Sequence, residues 1–262
     1  MKIRWAKRLL FAIVLFDGLL FGTAIAVVQT EIQPQMSIRE NSPDSHKEKI
    51  VKEKIIKEKI IKEKIVQAGI GDEGIWETQK LLALTFDDGP SLECTGRLLD
   101  GLKKRGIHAT FFLMGENIPG KEELVLRMKA EGHLIANHGY RHVQMTHEGE
   151  DAVAESVEKA QEMIEAITGE EPEFLRPPYG DWNAKLAERC DLTTVFWNVD
   201  SLDWKLRNVE KIVRRVEKQV KNGDIILMHD IFPESVEASL RLVDQLSAEG
   251  YAFVTVDELL ID

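Results

Sequence analysis

The amino-acid sequence predicts an α/β fold, an irregular barrel of parallel strands, on three observations. From Trp76 onward, short apolar runs alternate with amphipathic stretches, the signature of repeated β/α units. Seven of these runs have strand length, one short of a regular eight-stranded barrel. Short motifs rich in Asp, His and Arg sit at or just after the ends of the runs, where a β/α barrel carries its chemistry.

The first strand is expected over Leu81 to Phe86, an apolar run that stops at Asp87-Asp88 and is broken by Gly89-Pro90. An amphipathic helix follows from Thr95 to Lys104. Ala109 to Leu113 is the second strand and Lys121 to Glu131 the second helix. His133 to Ala136 is the third strand, followed by a long helix from Glu150 to Ile167. Phe174 to Arg176 and Thr193 to Asn198 are the fourth and fifth strands. A helix from Val209 to Lys221 precedes the sixth strand, Asp224 to Met228. Ser235 to Ala248 is the last helix and Ala252 to Val254 the seventh strand.

Ahead of this domain (residues 76–262) lie two segments of different character. Lys2, Arg4, Lys7 and Arg8 precede an apolar run from Leu9 to Val28. Twenty helical residues span about 30 Å, one hydrocarbon core, and the basic flank predicts a cytoplasmic N-terminus with the rest of the chain exported. Residues 1–28 thus read as a membrane anchor. Asp17 and the small-x-small triplet Ala24-Ile25-Ala26 offer the alternative of a cleaved signal peptide, which gives a secreted protein. Either reading makes the domain extracytoplasmic. Residues 29–75 read as a linker, because residues 47–66 are four pentads of the form Lys-Glu-Lys-Ile followed by Val or Ile. A period of five matches neither the helical 3.6 nor the strand 2, so it gives no one-sided apolar face. Extended, the linker reaches about 140 Å at ~3.1 Å per residue. Self-association through its isoleucines is the competing reading, and the oligomeric state stays open.

The chain holds 34 Lys+Arg and 45 Asp+Glu, unevenly placed. Residues 1–75 carry 13 and 10, a net of +3, which leaves 21 and 35 in the remainder, a net of −14. An acidic domain repels a phosphate backbone, so nucleic acid is excluded as a partner. Cys94 and Cys190 are the only cysteines; they make neither a disulfide framework nor a thiolate metal site and are expected to pack as small buried residues.

Five motifs carry the chemistry. Thr85-Phe86-Asp87-Asp88-Gly89-Pro90 is turn chemistry, and adjacent carboxylates at a strand end also diverge, so that one addresses a metal and the other a water. In His138-Gly139-Tyr140-Arg141-His142 the two imidazoles stand four residues apart, on one side of a turn or compact loop. With Asp88 they complete a two-His, one-carboxylate set that leaves positions open for water and substrate. Zinc is the first expectation from these ligand types, with cobalt and nickel as alternatives. Asn137 is a candidate support for the imidazoles. In Arg176-Pro177-Pro178-Tyr179 the guanidinium is either a surface ion pair or the partner that holds Asp87 charged and oriented. The Tyr179 backbone N–H is a candidate donor to a developing oxyanion. Asp200-Ser201-Leu202-Asp203-Trp204 and Leu227-Met228-His229 read together: Asp203 orients His229, which serves as the acid. Trp204 and Leu227 either line a small acyl pocket or are ordinary core. His108 and His133 are expected to be structural, and His46 and His147 have no assigned role.

In order and spacing these motifs resemble those of the polysaccharide deacetylases (carbohydrate esterase family 4, the NodB-like domain), over the whole region from Trp76 to Asp262. The resemblance implies a distorted (β/α)7 barrel, a divalent metal, and hydrolytic removal of N-acetyl groups from amino sugars. It implies Asp87 as general base, Asp88, His138 and His142 as metal ligands, and His229 as general acid. Arg176 and Asp203 are the implied partners of base and acid, Tyr179 the oxyanion donor, and Trp204 with Leu227 the acetyl pocket. One departure is visible: Gly139 stands where the family usually places Ser or Thr. For an exported, tethered domain the implied substrate is N-acetylglucosamine in peptidoglycan. A chitooligosaccharide deacetylase or an acetylxylan esterase uses the same residues, because substrate choice lies in loops.

Overall fold

The computed structural model describes residues 80–260. The membrane segment expected at residues 1–28 and the linker expected at 29–75 lie outside the described residues. Among the described residues no helix is long and apolar enough to cross a membrane.

Strand β1 (Lys80–Asp87) shows how the sequence builds both layers at once. Successive side chains point to opposite faces. Leu82, Leu84 and Phe86 enter the large cluster packed under the helices, while Ala83 enters a smaller cluster on the other face. Thr85 and Asp87 share that second face and are buried polar residues at its upper end. The same alternation holds in β2 (Thr110–Leu113), where Phe111 and Leu113 face the helices and Phe112 faces inward. It holds in β7 (Asp224–His229), where Ile226 and Met228 face the helices and Ile225 faces inward. Leu227 and His229 therefore lie on the inner face with Asp87, and the register pairs Asp87 with His229.

All pairings are parallel, in the order β5 (Thr193–Thr194), β4 (Phe174–Leu175), β3 (Leu134–Asn137), β2, β1, β7, β6 (Val199–Asp200). Strands β3 and β4 follow β2 outward from β1. Strand β8 (Tyr251–Val254) pairs with the first half of β1, on residues Lys80 to Ala83, while β2 pairs with Thr85 to Asp87. The result is a curled parallel sheet with helices packed on it, consistent with the distorted (β/α)7 architecture expected.

The expected fifth strand, Thr193 to Asn198, is not continuous. It divides into β5 (Thr193–Thr194), paired with β4, and β6 (Val199–Asp200), paired with β7. These are the two ends of the sheet, so one short segment joins its edges. Val195 N donates to Leu175 O (2.8 Å) and Asn198 N to Ile225 O (3.0 Å) across the gap. The carbonyls of Val195 and Phe196 bond to the Arg176 side chain instead of to a neighbouring strand. A buried guanidinium thus interrupts the ladder.

The helices end where their sequences dictate. Helix α1 (Thr95–Arg105) buries Leu98, Leu99 and Leu102 on one face and stops at Gly106, which adopts φ 64°. Helices α2 (Glu122–Ala130) and α3 (Glu150–Thr168) follow β2 and β3. Helix α6 (Val209–Glu217) starts at Asn208, whose side chain accepts from Lys211 N, and ends four residues before the expected Lys221. Helix α7 (Pro233–Ala248) opens with proline in its first turn. Three helices were not expected: α4 (Ala184–Arg189), α5 (Asp203–Leu206) and α8 (Val256–Leu259). Each is too short to display a 3.6-residue period.

Candidate active site

The ends of β1, β3, β4, β6 and β7 each deliver one motif to the same side of the sheet. Asp87 is the last residue of β1, His138 follows β3, Arg176 follows β4, Ser201 follows β6, and His229 ends β7.

Asp88, His138 and His142 converge, with one ligand atom of each within 4.8 Å of the others. Asp88 Oδ1 stands 3.5 Å from His138 Nε2 and 3.6 Å from His142 Nε2. It is buried and forms no hydrogen bond, which is costly for a carboxylate oxygen. His138 Nδ1 donates to the Arg176 carbonyl (2.6 Å), leaving the Nε2 lone pair directed at Asp88. An orphaned carboxylate oxygen facing two imidazole Nε2 atoms fits a divalent cation. Burial pulls His142 down, against the opposing charge of Asp88, which keeps its imidazole neutral and able to ligate. For Asp88, burial pushes the carboxyl up, but the three facing imidazoles outweigh it and hold the group below its ordinary value.

The backbone holds this triad in place. Asp88 adopts φ 71°, and its carbonyl accepts from Asn117 Nδ2 (2.8 Å). His138 and His142 lie in a loop rather than a helix, their rings 5.5 Å apart. Asn137, the expected support for the imidazoles, bonds to neither ring and braces the loop backbone instead: its Oδ1 accepts from Gly139 N (2.6 Å) and its Nδ2 donates to Val157 O (2.9 Å). Gly139, the departure from the family pattern, adopts φ 81°, and a Cβ there would stand 2.9 Å from Met145 Cε. The positive φ favours glycine there; the Met145 methyl ends a flexible side chain and can yield.

Asp87 lies beside the triad, its Oδ2 3.8 Å from His138 Nε2. Arg176, fully buried, donates from Nη1 to Asp87 Oδ1 (2.8 Å) and to Thr85 Oγ1 (2.7 Å). The sequence left open a surface ion pair for Arg176; the structure places it in the interior, over the Phe112 ring at 4.1 Å. On the opposite side, Asp203 is fully buried and uses both oxygens on His229. Oδ1 bonds to Nδ1 (2.7 Å) and Oδ2 accepts from the backbone N–H (2.8 Å). The imidazole thus presents Nε2 to the site, 3.8 Å from Asp88 Oδ2. Burial pulls His229 down, but the bond to Asp203 and the charges of Asp203, Asp87 and Asp88 outweigh it and raise the group to about 9.

Tyr179 adopts φ 61° in the tight turn Pro178–Gly180, and its exposed ring lies edge-on to His142 at 4.3 Å between centroids. Trp204 N donates to Asp203 Oδ1 (2.8 Å), which fixes that residue beside the acid, with its ring half exposed. Leu227 is buried two register pairs below His229, on the same face. His133 is core, as expected, but only half satisfied: Nδ1 accepts from Ala109 N (3.1 Å) and the buried Nε2 has no partner. Cys94 and Cys190 are free and buried.

Three supporting residues were missed in the sequence: Thr85, Asn117 and Asp230. Asp230 is fully buried; Thr95 donates to its Oδ2 (2.5 Å), while its Oδ1 has no partner. A Cβ on Gly89 would stand 2.4 Å from that carboxylate, so Asp230 and Gly89 interlock directly behind Asp88. Burial pushes the Asp230 carboxyl up to about 7. Only its place after His229 hinted at such a role.

The chain was compared with known proteins. A family model described as polysaccharide deacetylase matches residues 76–195. The peptidoglycan-N-acetylmuramic acid deacetylase PdaC of Bacillus subtilis is 39% identical over 188 residues, which cover 72% of this chain and 40% of that protein. The peptidoglycan-N-acetylglucosamine deacetylase PgdA of Listeria monocytogenes is 39% identical over 183 residues, covering 70% of this chain and 39% of that protein. The chain thus spans about two fifths of the length of these two relatives. The solved structure of PdaC superposes with a TM-score of 0.68 at 39% identity, covering 70% of this chain and 91% of that one. A family 4 acetyl xylan esterase from Clostridium thermocellum, solved with a cobalt ion, gives a TM-score of 0.66 at 34% identity, covering 69% and 90%. With the five motif-bearing strand ends assembled into one site, these matches establish that the chain belongs to the polysaccharide deacetylase family.

Proposed function

We propose that the domain is a metal-dependent hydrolase that removes N-acetyl groups from N-acetylglucosamine residues of peptidoglycan. The observation that carries this reading is the placement of Asp87 and His229 on either side of the Asp88–His138–His142 triad. A base and an acid flanking a cation site suit addition of water across an amide C–N bond. Zinc is the ion the ligand set favours, and cobalt or nickel fits the same donors. Held by Asp88, His138 and His142, such an ion would supply Lewis-acid chemistry for the acetamide carbonyl and for water.

The chain's own residues supply the rest. Asp87, oriented by Arg176, takes the proton from the attacking water. The Tyr179 backbone N–H donates to the oxygen that gains charge. His229, protonated and held by Asp203, gives its proton to the leaving amine. The products are acetate and a glucosamine residue. Trp204 and Leu227 enclose the acetyl methyl group. The basic-flanked apolar segment at residues 1–28 supports an extracytoplasmic, membrane-anchored enzyme, or a secreted one if Ala24-Ile25-Ala26 is cut. The linker at 29–75 suits a substrate set back from the membrane.

A second reading, deacetylation of the muramic acid residues, is favoured by the similarity to PdaC. An acetyl xylan esterase is a third, from the similarity to the clostridial enzyme. One experiment separates them. Purified protein is incubated with peptidoglycan, chitooligosaccharide and acetylated xylan, with chelator and with zinc added back. The expected result is chelator-sensitive acetate release from peptidoglycan, with new amines on glucosamine. Amines confined to muramic acid, or release from xylan alone, select the alternatives. No acetate from any substrate in the zinc-restored protein overturns all three.

A further inference from the structure

Three segments enter the site through residues with a left-handed backbone: Asp88 (φ 71°), Tyr179 (φ 61°) and Leu202 (φ 52°), the last directly before Asp203. Residues other than glycine rarely adopt that region, so the surroundings must hold each one there. In the turn that carries Tyr179, Gly180 N donates to Pro177 O (3.0 Å) and Asp181 N to Pro178 O (3.1 Å). Both bonds close the turn on itself, and neither ties it to the metal-ligand candidates. That tie comes from Asp181, a residue the chemistry above does not use. Its Oδ2 accepts from Thr146 N (2.8 Å), and the Thr146 hydroxyl donates to both carboxylate oxygens (Oδ1 2.7 Å, Oδ2 2.8 Å). Thr146 follows Met145, which is buried with Leu175 and Leu186 and lies close to Gly139. The loop that carries His138 and His142 is thus rooted in the core. It meets the turn at two points: Thr146 on Asp181, and the His142 ring on the Tyr179 ring.

We infer that Asp181 is a positioning residue: by gripping Thr146 it fixes the left-handed turn, so that the Tyr179 N–H is aimed at the cation site. This rests on the proposed mechanism, in which that N–H meets the developing oxyanion, and deepens it. A donor aimed before the reaction begins needs no reorganisation when charge appears, and a small displacement of it costs rate. A carboxylate suits the task because its two oxygens accept from the N–H and the O–H of one residue together. Those bonds from Thr146 hold the Asp181 carboxyl below its ordinary value, so the acceptor is charged.

The test measures kcat and KM for acetate release from soluble peptidoglycan fragments by the full-length, zinc-saturated protein. Zinc content and melting temperature are read alongside. Asp181→Ala is expected to lower kcat about tenfold or more with KM within about twofold, because the lost alignment matters only in the transition state. Zinc content and melting temperature should stay near wild type. Asp181→Asn keeps an acceptor for the Thr146 N–H and a donor for its hydroxyl, and should recover most of the rate. Thr146→Val removes the hydroxyl bonds alone and should give a smaller fall of the same kind. Added to Asp181→Ala it should cost nothing more, since both remove one link. An unchanged kcat in Asp181→Ala overturns the inference and leaves the deacetylase reading intact. So does a loss that appears in KM, that follows lost zinc or a lowered melting temperature, or that asparagine does not recover. Wild-type protein that releases no acetate from the fragments overturns the deacetylase reading, and the positioning role with it.

Discussion

At the scale of single residues, the proposed mechanism divides metal binding and proton transfer between two adjacent carboxylates. Asp87 lies beside the ligand set but is committed to Arg176, whereas Asp88 carries the orphaned oxygen. Asp87→Asn is expected to lower turnover by about two to four orders of magnitude, the range for loss of a general base. Zinc binding, measured by calorimetry, should persist. The acid side gives a pH prediction. His229 is raised from an ordinary 6.5 to about 9, with burial opposed by Asp203 and the neighbouring carboxylates. The protonated form is therefore favoured by the fold. Its contribution to stability is complete below about 6.5 and is lost as pH rises through about 9. Asp203→Asn removes the charge partner, so the alkaline limb of the kcat/KM profile should move to lower pH. A limb that stays in place would remove Asp203 from the role of orienter. The residues that converge on the candidate site were legible in sequence because the proposed chemistry demands particular side chains at strand ends. Thr85, Asn117 and Asp230 were not. They act through contacts with Arg176 (Thr85), with backbone (Asn117) or with the Thr95 side chain (Asp230), and nothing in their types or spacing distinguishes them from turn residues.

At the scale of elements, the β1–α1 connection is held by a buried carboxyl rather than by a cap. Cys94 caps no N–H with its side chain at the start of α1. Instead Ser91 N donates to Thr95 Oγ1 (2.7 Å), which donates to Asp230 Oδ2. Asp230 is raised from 3.8 to about 7 by burial, so its fold favours the protonated form. Stability from this group is complete below about 3.8 and declines as pH rises through about 7, where a charge forms around an unpartnered oxygen. Asp230→Asn keeps the shape without the charge. Its melting temperature relative to wild type should be higher at pH 8 than at pH 5; an equal difference at both would show that Asp230 does not ionise in this range. The long elements were legible because α1, α3 and α7 present one apolar face and the inner strands are continuous apolar runs. The break within Thr193 to Asn198 was not legible. That run is apolar and β-branched, and the cause of its interruption is a side chain from residue 176.

At the scale of the whole molecule, that side chain matters most. Arg176 bonds to Thr85 and Asp87 on β1 and to the carbonyls of Val195 and Phe196 in the segment joining β5 to β6. Its own N–H donates to Asn137 O (2.9 Å) and its carbonyl accepts from His138. Arg176→Ala leaves the buried Asp87 carboxylate, the buried Val195 carbonyl and the partly buried Phe196 carbonyl without their donor. The expected loss is about 3–5 kcal/mol, read as a lower urea midpoint. Arg176→Lys should recover little of it, since an ammonium cannot reproduce the planar fork. An alanine variant within about 1 kcal/mol of wild type would show that water replaces the guanidinium.

That arrangement also bears on how the enzyme becomes active. The same cation that zips the two margins of the sheet together steadies the nucleophile-activating carboxylate. A nascent chain therefore gains its proton acceptor only when the seam shuts. Folding and competence arrive as one event, and partly folded forms lack an oriented proton acceptor.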